Sequence, residues 1–298
     1  MRWIVLMSMA AVAAYGAAPG CGGHGDRSTM LVTTEWLAKH ANDPDLVLLA
    51  VGQKSEFDQG HIPGSRFLDY NTIVLRATAE RPNSFELPPM ADLAATFSQL
   101  GVSNSSRIVV YMTKDFVSPT TRVYLTLDAM GLGPRTSLLD GGFPAWKAEN
   151  RAVTTEAAAP KAGKITPCAQ DDVIVDLDYV KSNLRQKGVA LVDARTANFY
   201  SGEAPGRNMR AGHIPGALSL PYVTLVDDQN KFHPLEQLAK QFSEAGIRKG
   251  DRVVSYCHIG QQATVLYFVA RYLGYDARLY DGSLEEWSRH SELPVEKK

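Results

Sequence analysis

The chain of 298 residues is 45% hydrophobic and 21% charged, with 31 Lys and Arg against 32 Asp and Glu, a net charge of −1. That length accommodates about two domains, and the near-average composition excludes a collagen-like, coiled-coil or wholly disordered chain. The absence of a basic surplus argues against nucleic-acid binding, and the 3 Cys are too few for a disulfide framework or a cysteine-rich zinc cage.

Residues 1–20 read as an export signal. Arg2 is the positive start, Ile4 to Ala14 is an apolar run broken only by Ser8, and Gly16, Ala17 and Ala18 are small. The run is shorter than the roughly 20 residues a spanning helix needs. Ala18-Pro19-Gly20-Cys21 resembles a bacterial lipoprotein processing site with Cys21 as the lipidated residue; a plain secretory signal is the alternative. Gly22-Gly23-His24-Gly25 would act as a tether. An exported protein is expected, periplasmic or lipid-anchored to a bacterial membrane, with membrane contact only through that anchor.

Beyond residue 28 the chain repeats itself. Gly60-His61-Ile62-Pro63-Gly64-Ser65 recurs as Gly212-His213-Ile214-Pro215-Gly216-Ala217. Leu100-Gly101-Val102 and Arg107-Ile108-Val109-Val110-Tyr111 return at one constant offset as Ala245-Gly246-Ile247 and Arg252-Val253-Val254-Ser255-Tyr256. Leu139-Asp140-Gly141-Gly142 to Trp146 matches Tyr280-Asp281-Gly282-Ser283 to Trp287. One domain is therefore used twice, at a period too long for a solenoid. The expected division is signal and tether 1–28, first domain 29–153, linker 154–170 and second domain 171–298. Within the linker, Thr154 to Gly163 is Ala- and Pro-containing and lacks periodicity.

In the second half, Val189 to Val192 and Arg252 to Tyr256 are short apolar runs suited to buried parallel strands. Leu238, Phe242 and Ala245 mark an amphipathic helix over Leu235 to Ala245. Ala263 to Leu273 is apolar nearly all round, a buried helix stopped by Gly274. Alternating strands and helices predict an α/β fold, a parallel sheet with helices on both faces and ligands beyond the carboxyl ends of its strands. There lies Cys257-His258-Ile259-Gly260-Gln261-Gln262, running into the helix. Loop and helix-start N–H groups converging on one spot would lower the thiol pKa and hold an anion beside it, with Gly260 permitting the tight curve. The bland alternative is an inert buried cysteine.

These tandem halves, the two His-Ile-Pro-Gly motifs, Leu191-Val192-Asp193-Ala194-Arg195, the cysteine loop and Asp281-Gly282-Ser283 to Trp287 together resemble the two-domain rhodaneses. That family comprises thiosulfate and 3-mercaptopyruvate sulfurtransferases. The resemblance covers nearly all of 30–293 and implies two tandem rhodanese-like domains, each a five-stranded parallel sheet flanked by helices, with the nucleophile in the second. The first half agrees: Met112 aligns with Cys257 and Ala50 with Asp193, and its loop carries two extra residues and no thiol. A covering role over the cleft is expected of it.

The resemblance implies a ping-pong reaction. Cys257 takes a sulfane sulfur from a small anionic donor as a persulfide, and cyanide or a thiol removes it, with no metal and no cofactor. Thiosulfate is the expected donor, 3-mercaptopyruvate the alternative, and a non-enzymatic persulfide relay a further one. The loop, with His258, Ile259, Gln261 and Gln262, matches neither donor's family pattern. His258 would be a switchable cation or a hydrogen-bond donor. Arg207 and Arg210 would grip the donor's anionic group, although Ser201 stands where mercaptopyruvate enzymes carry a second arginine. Asp193, His213 and His61 are expected to brace the fold, Trp146 and Trp287 to pack it, and Cys168 to be an incidental thiol. A phosphatase of related loop geometry would need Arg where Ala263 stands. A monomer is expected.

Overall fold

The computed structural model describes residues 26–114 and 116–298, so the readings of the export signal and of Cys21 lie outside the described residues. The first half contains β1 (Leu31–Val32), β2 (Leu46–Val51), β3 (Arg66–Leu68), β4 (Arg107–Met112) and β5 (Thr136–Leu139). The second contains β6 (Ile174–Val175), β7 (Val189–Asp193), β8 (Leu218–Ser219), β9 (Arg252–Tyr256) and β10 (Asp276–Tyr280). The two sheets have the same order, β1-β5-β4-β2-β3 and β6-β10-β9-β7-β8. Every pairing is parallel. The central strands β2, β4 and β9 are buried over all but their first residue, as sheets covered on both faces require.

The repeat extends into the side chains. His61 Nδ1 contacts the Phe57 carbonyl at 2.8 Å with its ring stacked on Phe57; His213 does the same with Tyr200 at 2.8 Å. The Trp146 indole donates to Ala152 O and the Trp287 indole to Pro294 O, both at 2.8 Å. These groups fix each domain's turns and core.

The halves join through two repeat-related helices, Ser118–Ala129 and Ala263–Leu273. Thr121 and Thr264 hydroxyls meet at 2.7 Å, Tyr124 packs edge-on to Phe268 with ring centroids 4.9 Å apart, and Tyr267 donates to Asp128 at 2.6 Å. The second helix is apolar all round because it faces both its own sheet and its mate; Gly274 caps it at φ 89°. Its mate is polar by composition, yet every residue except Pro119 is buried. One apolar cluster consequently runs through both domains.

The segment between the domains lies along the first one. Gly163, Cys168 and Gln170 donate backbone hydrogen bonds to Ser98 (2.8 Å), Met130 (3.0 Å) and Ala129 (2.8 Å). Cys168 is disulfide-bonded, which corrects its reading as an incidental thiol, and Cys257 is the free cysteine among the described residues.

Candidate active site

Cys257 follows β9 directly and is 0% exposed. Its backbone is fixed from the neighbouring strand's end. Cys257 N donates to Ser283 Oγ at 3.2 Å, while Leu284 N and Glu285 N donate to the Cys257 and His258 carbonyls at 3.1 and 2.9 Å. The first turn of the helix Ser283–Arg289 thus spends its open N–H groups on the cysteine loop. The backbone N–H groups of Ala263, Ile259, Gln262 and Gly260 surround the Cys257 sulfur and favour its thiolate.

Burial is the largest influence on that sulfur and pushes the thiol up from its ordinary range, against the pull of the four N–H groups. The expectation of a depressed thiol is corrected accordingly. The cradle is present, but the sulfur is fully buried, without the solvent that would help hold a thiolate.

Gly260 makes the loop possible. At φ +80°, a Cβ there would sit 2.6 Å from Asp281 Oδ1 and 2.7 Å from Asp281 O. Gln261 donates to Ser118 Oγ of the first domain at 3.2 Å. The Gln262 side chain lies by both Tyr222 and His258. His258 stands edge-on to Phe199 with centroids 4.6 Å apart, and burial together with Arg195 holds its imidazole below the usual range. That direction favours a hydrogen-bonding group over a cation at this position.

Asp193 and Arg195 form an ion pair in which both side chains are 0% exposed, joined at 2.6 Å through Nη2; the same nitrogen donates to Gly212 O at 2.7 Å. Arg210 is committed elsewhere. Its guanidinium donates to the carbonyls of Trp287 (2.9 Å), His290 (3.1 Å) and Leu293 (2.5 Å), tying the loop to the C-terminal segment. Its reading as a donor-binding residue is therefore corrected. Arg207 is exposed on the same loop.

Arg122, which sequence reasoning missed, comes from the first domain and is fully buried. It donates to Asp281 Oδ1 at 2.6 Å and Oδ2 at 3.2 Å, to Gly260 O at 3.3 Å, and to Phe85 O. One guanidinium thus clamps the cysteine loop, the turn behind it and a first-domain segment. Phe85 has φ 65°, strained for a bulky residue. The only sequence signal was Arg122 standing in one repeat where the other has Val265. Met112, at the position equivalent to Cys257, is 3% exposed in the core. Among the described residues, no cluster of three or more His, Cys, Asp or Glu side chains is placed to hold a metal.

The arrangement offers one buried thiol, a ring of N–H donors aimed at its sulfur, and a rigid two-domain housing. Comparison with known proteins agrees. The Rhodanese-like domain family matches residues 33–149 and 176–290. A thiosulfate sulfurtransferase of Azotobacter vinelandii is 30% identical over 254 residues, 85% of this chain and 92% of that protein. A probable 3-mercaptopyruvate sulfurtransferase of Pseudomonas aeruginosa is 30% identical over 285 residues, 90% of this chain and 98% of that one. The crystal structure of SseA from Escherichia coli, described as a 3-mercaptopyruvate sulfotransferase, superposes with a TM-score of 0.75 at 26% identity, covering 86% of this chain and 98% of that one.

Proposed function

The chain belongs to the rhodanese family of sulfurtransferases, and from that premise we propose that it draws its sulfane sulfur from thiosulfate. The observation that carries the sulfur-transfer reading is the ring of four backbone N–H groups around the one free thiol of the described residues. The Cys257 thiolate attacks the outer sulfur of thiosulfate, the S–S bond breaks, and sulfite departs with the electron pair. Cyanide or a thiol then takes the outer sulfur and the Cys257 thiolate returns. The N–H ring donates towards the thiolate and stands next to the anionic persulfide that replaces it.

Two observations favour thiosulfate over 3-mercaptopyruvate. Arg210 is tied to the C-terminal segment, and Ser201 carries no charge, so a two-arginine grip on a carboxylate is not assembled. The direct test compares the two donors with cyanide as acceptor. Thiocyanate from thiosulfate is expected; turnover of 3-mercaptopyruvate alone would overturn the donor assignment.

Gly260→Ala is expected to lower turnover by about 10²-fold, because relieving the Asp281 contact displaces the N–H ring by a fraction of the sulfur's radius or more. Steady-state kinetics at saturating thiosulfate check this, and unchanged turnover would contradict it. The raised thiol sets a pH dependence with a definite sign. The nucleophilic thiolate grows as pH rises, so sulfur loading at limiting thiosulfate climbs from about pH 7 to about pH 9, through the ordinary thiol range. A profile flat across that window would mean that the N–H ring outweighs burial.

We also place the protein outside the cytoplasm. The signal-like start supports this. Cell fractionation tests it, and recovery with cytoplasmic markers would overturn it.

A further inference from the structure

The first domain reaches across the cysteine loop with residues 69–87. Tyr70 opens the short 3-10 turn Tyr70–Thr72, begun by Asp69, whose carboxylate accepts from Asn71 N at 3.0 Å. Further along, Leu75 and Phe85 close on each other, with Phe85 N donating to Leu75 O and Leu75 N to Glu86 O, both at 2.8 Å. The far side of this arm is pinned to the helix Ser283–Arg289. Ser84 N donates to Glu285 at 2.6 Å and Arg289 donates to Pro82 O at 3.1 Å. Arg122 holds the Phe85 carbonyl, and the Tyr70 and Phe85 rings pack with centroids 6.2 Å apart. Tyr70 is thereby fixed against the clamp that grips Gly260 and Asp281.

Its hydroxyl is buried and has no hydrogen-bond partner among the described residues. A buried phenol normally finds one, and leaving it without a partner costs the resting protein stability. The hydroxyl also lies within electrostatic reach of Cys257, Arg122 and Asp281. Burial keeps its proton firmly bound, so at any working pH it is a donor. A donor held on the arm that Arg122 ties to the cysteine loop, and unused at rest, is suited to a group that arrives with the substrate.

We infer that Tyr70 is a further substrate-binding residue, whose hydroxyl donates a hydrogen bond to the anionic oxygen group of the sulfur donor while the donor's outer sulfur meets Cys257. This rests on the sulfurtransferase reading. It also gives the first domain a part in the chemistry: it supplies a contact that the cysteine loop, which has no Arg or Lys, lacks. The contact ends when sulfite leaves, so transfer from the persulfide to cyanide does not depend on it.

Tyr70→Phe removes only the hydroxyl. Sulfur loading from thiosulfate and discharge of the preloaded enzyme by cyanide are measured separately, alongside the thermal midpoint. The expected result is a loss of about 10- to 100-fold in kcat/KM for loading, the range for a hydrogen bond to a charged group. Discharge stays within about twofold and the midpoint is unchanged or higher, because an unsatisfied buried group has gone. Loading that matches the wild type overturns the inference while leaving the donor assignment standing. A lowered midpoint, or equal losses in both half-reactions, overturns it by making the hydroxyl structural. Wild-type protein that takes no sulfur from thiosulfate defeats the donor assignment and this inference together.

Discussion

Replacing Cys257 by Ser is expected to leave a folded protein whose thiocyanate production falls by at least about 10⁴-fold, the scale on which removal of a covalent nucleophile acts. The hydroxyl is nearly the size of the thiol, so the enclosed site closes around it, and its oxygen can accept from the same four N–H groups. Stability should therefore change by less than about 1 kcal/mol. What disappears is the chemistry: an alkoxide is inaccessible at neutral pH, and oxygen cannot store a transferable sulfur as a persulfide. Matched melting curves and steady-state assays check both halves of the expectation. Turnover within tenfold of the wild type would place the nucleophile elsewhere.

Arg122→Leu carries the second large effect, on stability first and activity second. Arg122 is 0% exposed and its partner Asp281 7%. Removing the cation strands a buried carboxylate, which costs about 3–5 kcal/mol, far above the value of an exposed pair. The Gly260 and Phe85 carbonyls lose a donor at the same time, so the cysteine loop loosens and turnover falls with stability. The double variant Arg122→Leu, Asp281→Asn removes the stranded charge and should recover part of the lost stability. Urea unfolding of the three proteins measures this. A loss below about 1 kcal/mol in the single variant, or no recovery in the double, would show that the clamp is not a buried ion pair in solution.

The parts of this protein that could be read from its sequence are those with strong local signals. Arg252 to Tyr256 is an apolar run ending at a cysteine loop, and the structure makes it β9, copied copy for copy as β4 in the other half. The internal repeat is mirrored in the common strand order of the two parallel sheets. Residues whose roles depend on the packing of one half against the other were harder. Arg122 lies in a Thr-rich helix that looks solvent-facing, and its partners Gly260 and Asp281 come from the other half of the chain. Arg210 looked like an anion ligand because no local pattern separates an arginine bound to three carbonyls from one awaiting substrate. The thiol followed the same rule. Convergent N–H groups were visible in a strand–loop–helix pattern, whereas the burial that opposes them exists only in the packed fold. Tyr70 belongs to neither repeat motif, and its distinguishing feature, a buried hydroxyl with no partner among the described residues, exists only in three dimensions.

The central claim is that Cys257 carries sulfur covalently between donor and acceptor. Intact-mass measurement of unreduced protein after brief exposure to thiosulfate, repeated after cyanide, tests it most directly. Cys168 is held in a disulfide, so Cys257 is the thiol of the described residues able to take up sulfur. The wild type should gain the mass of one sulfur atom with thiosulfate and lose it with cyanide, and Cys257→Ser should gain nothing. A Cys257→Ser protein that still gains and releases that sulfur would contradict the account.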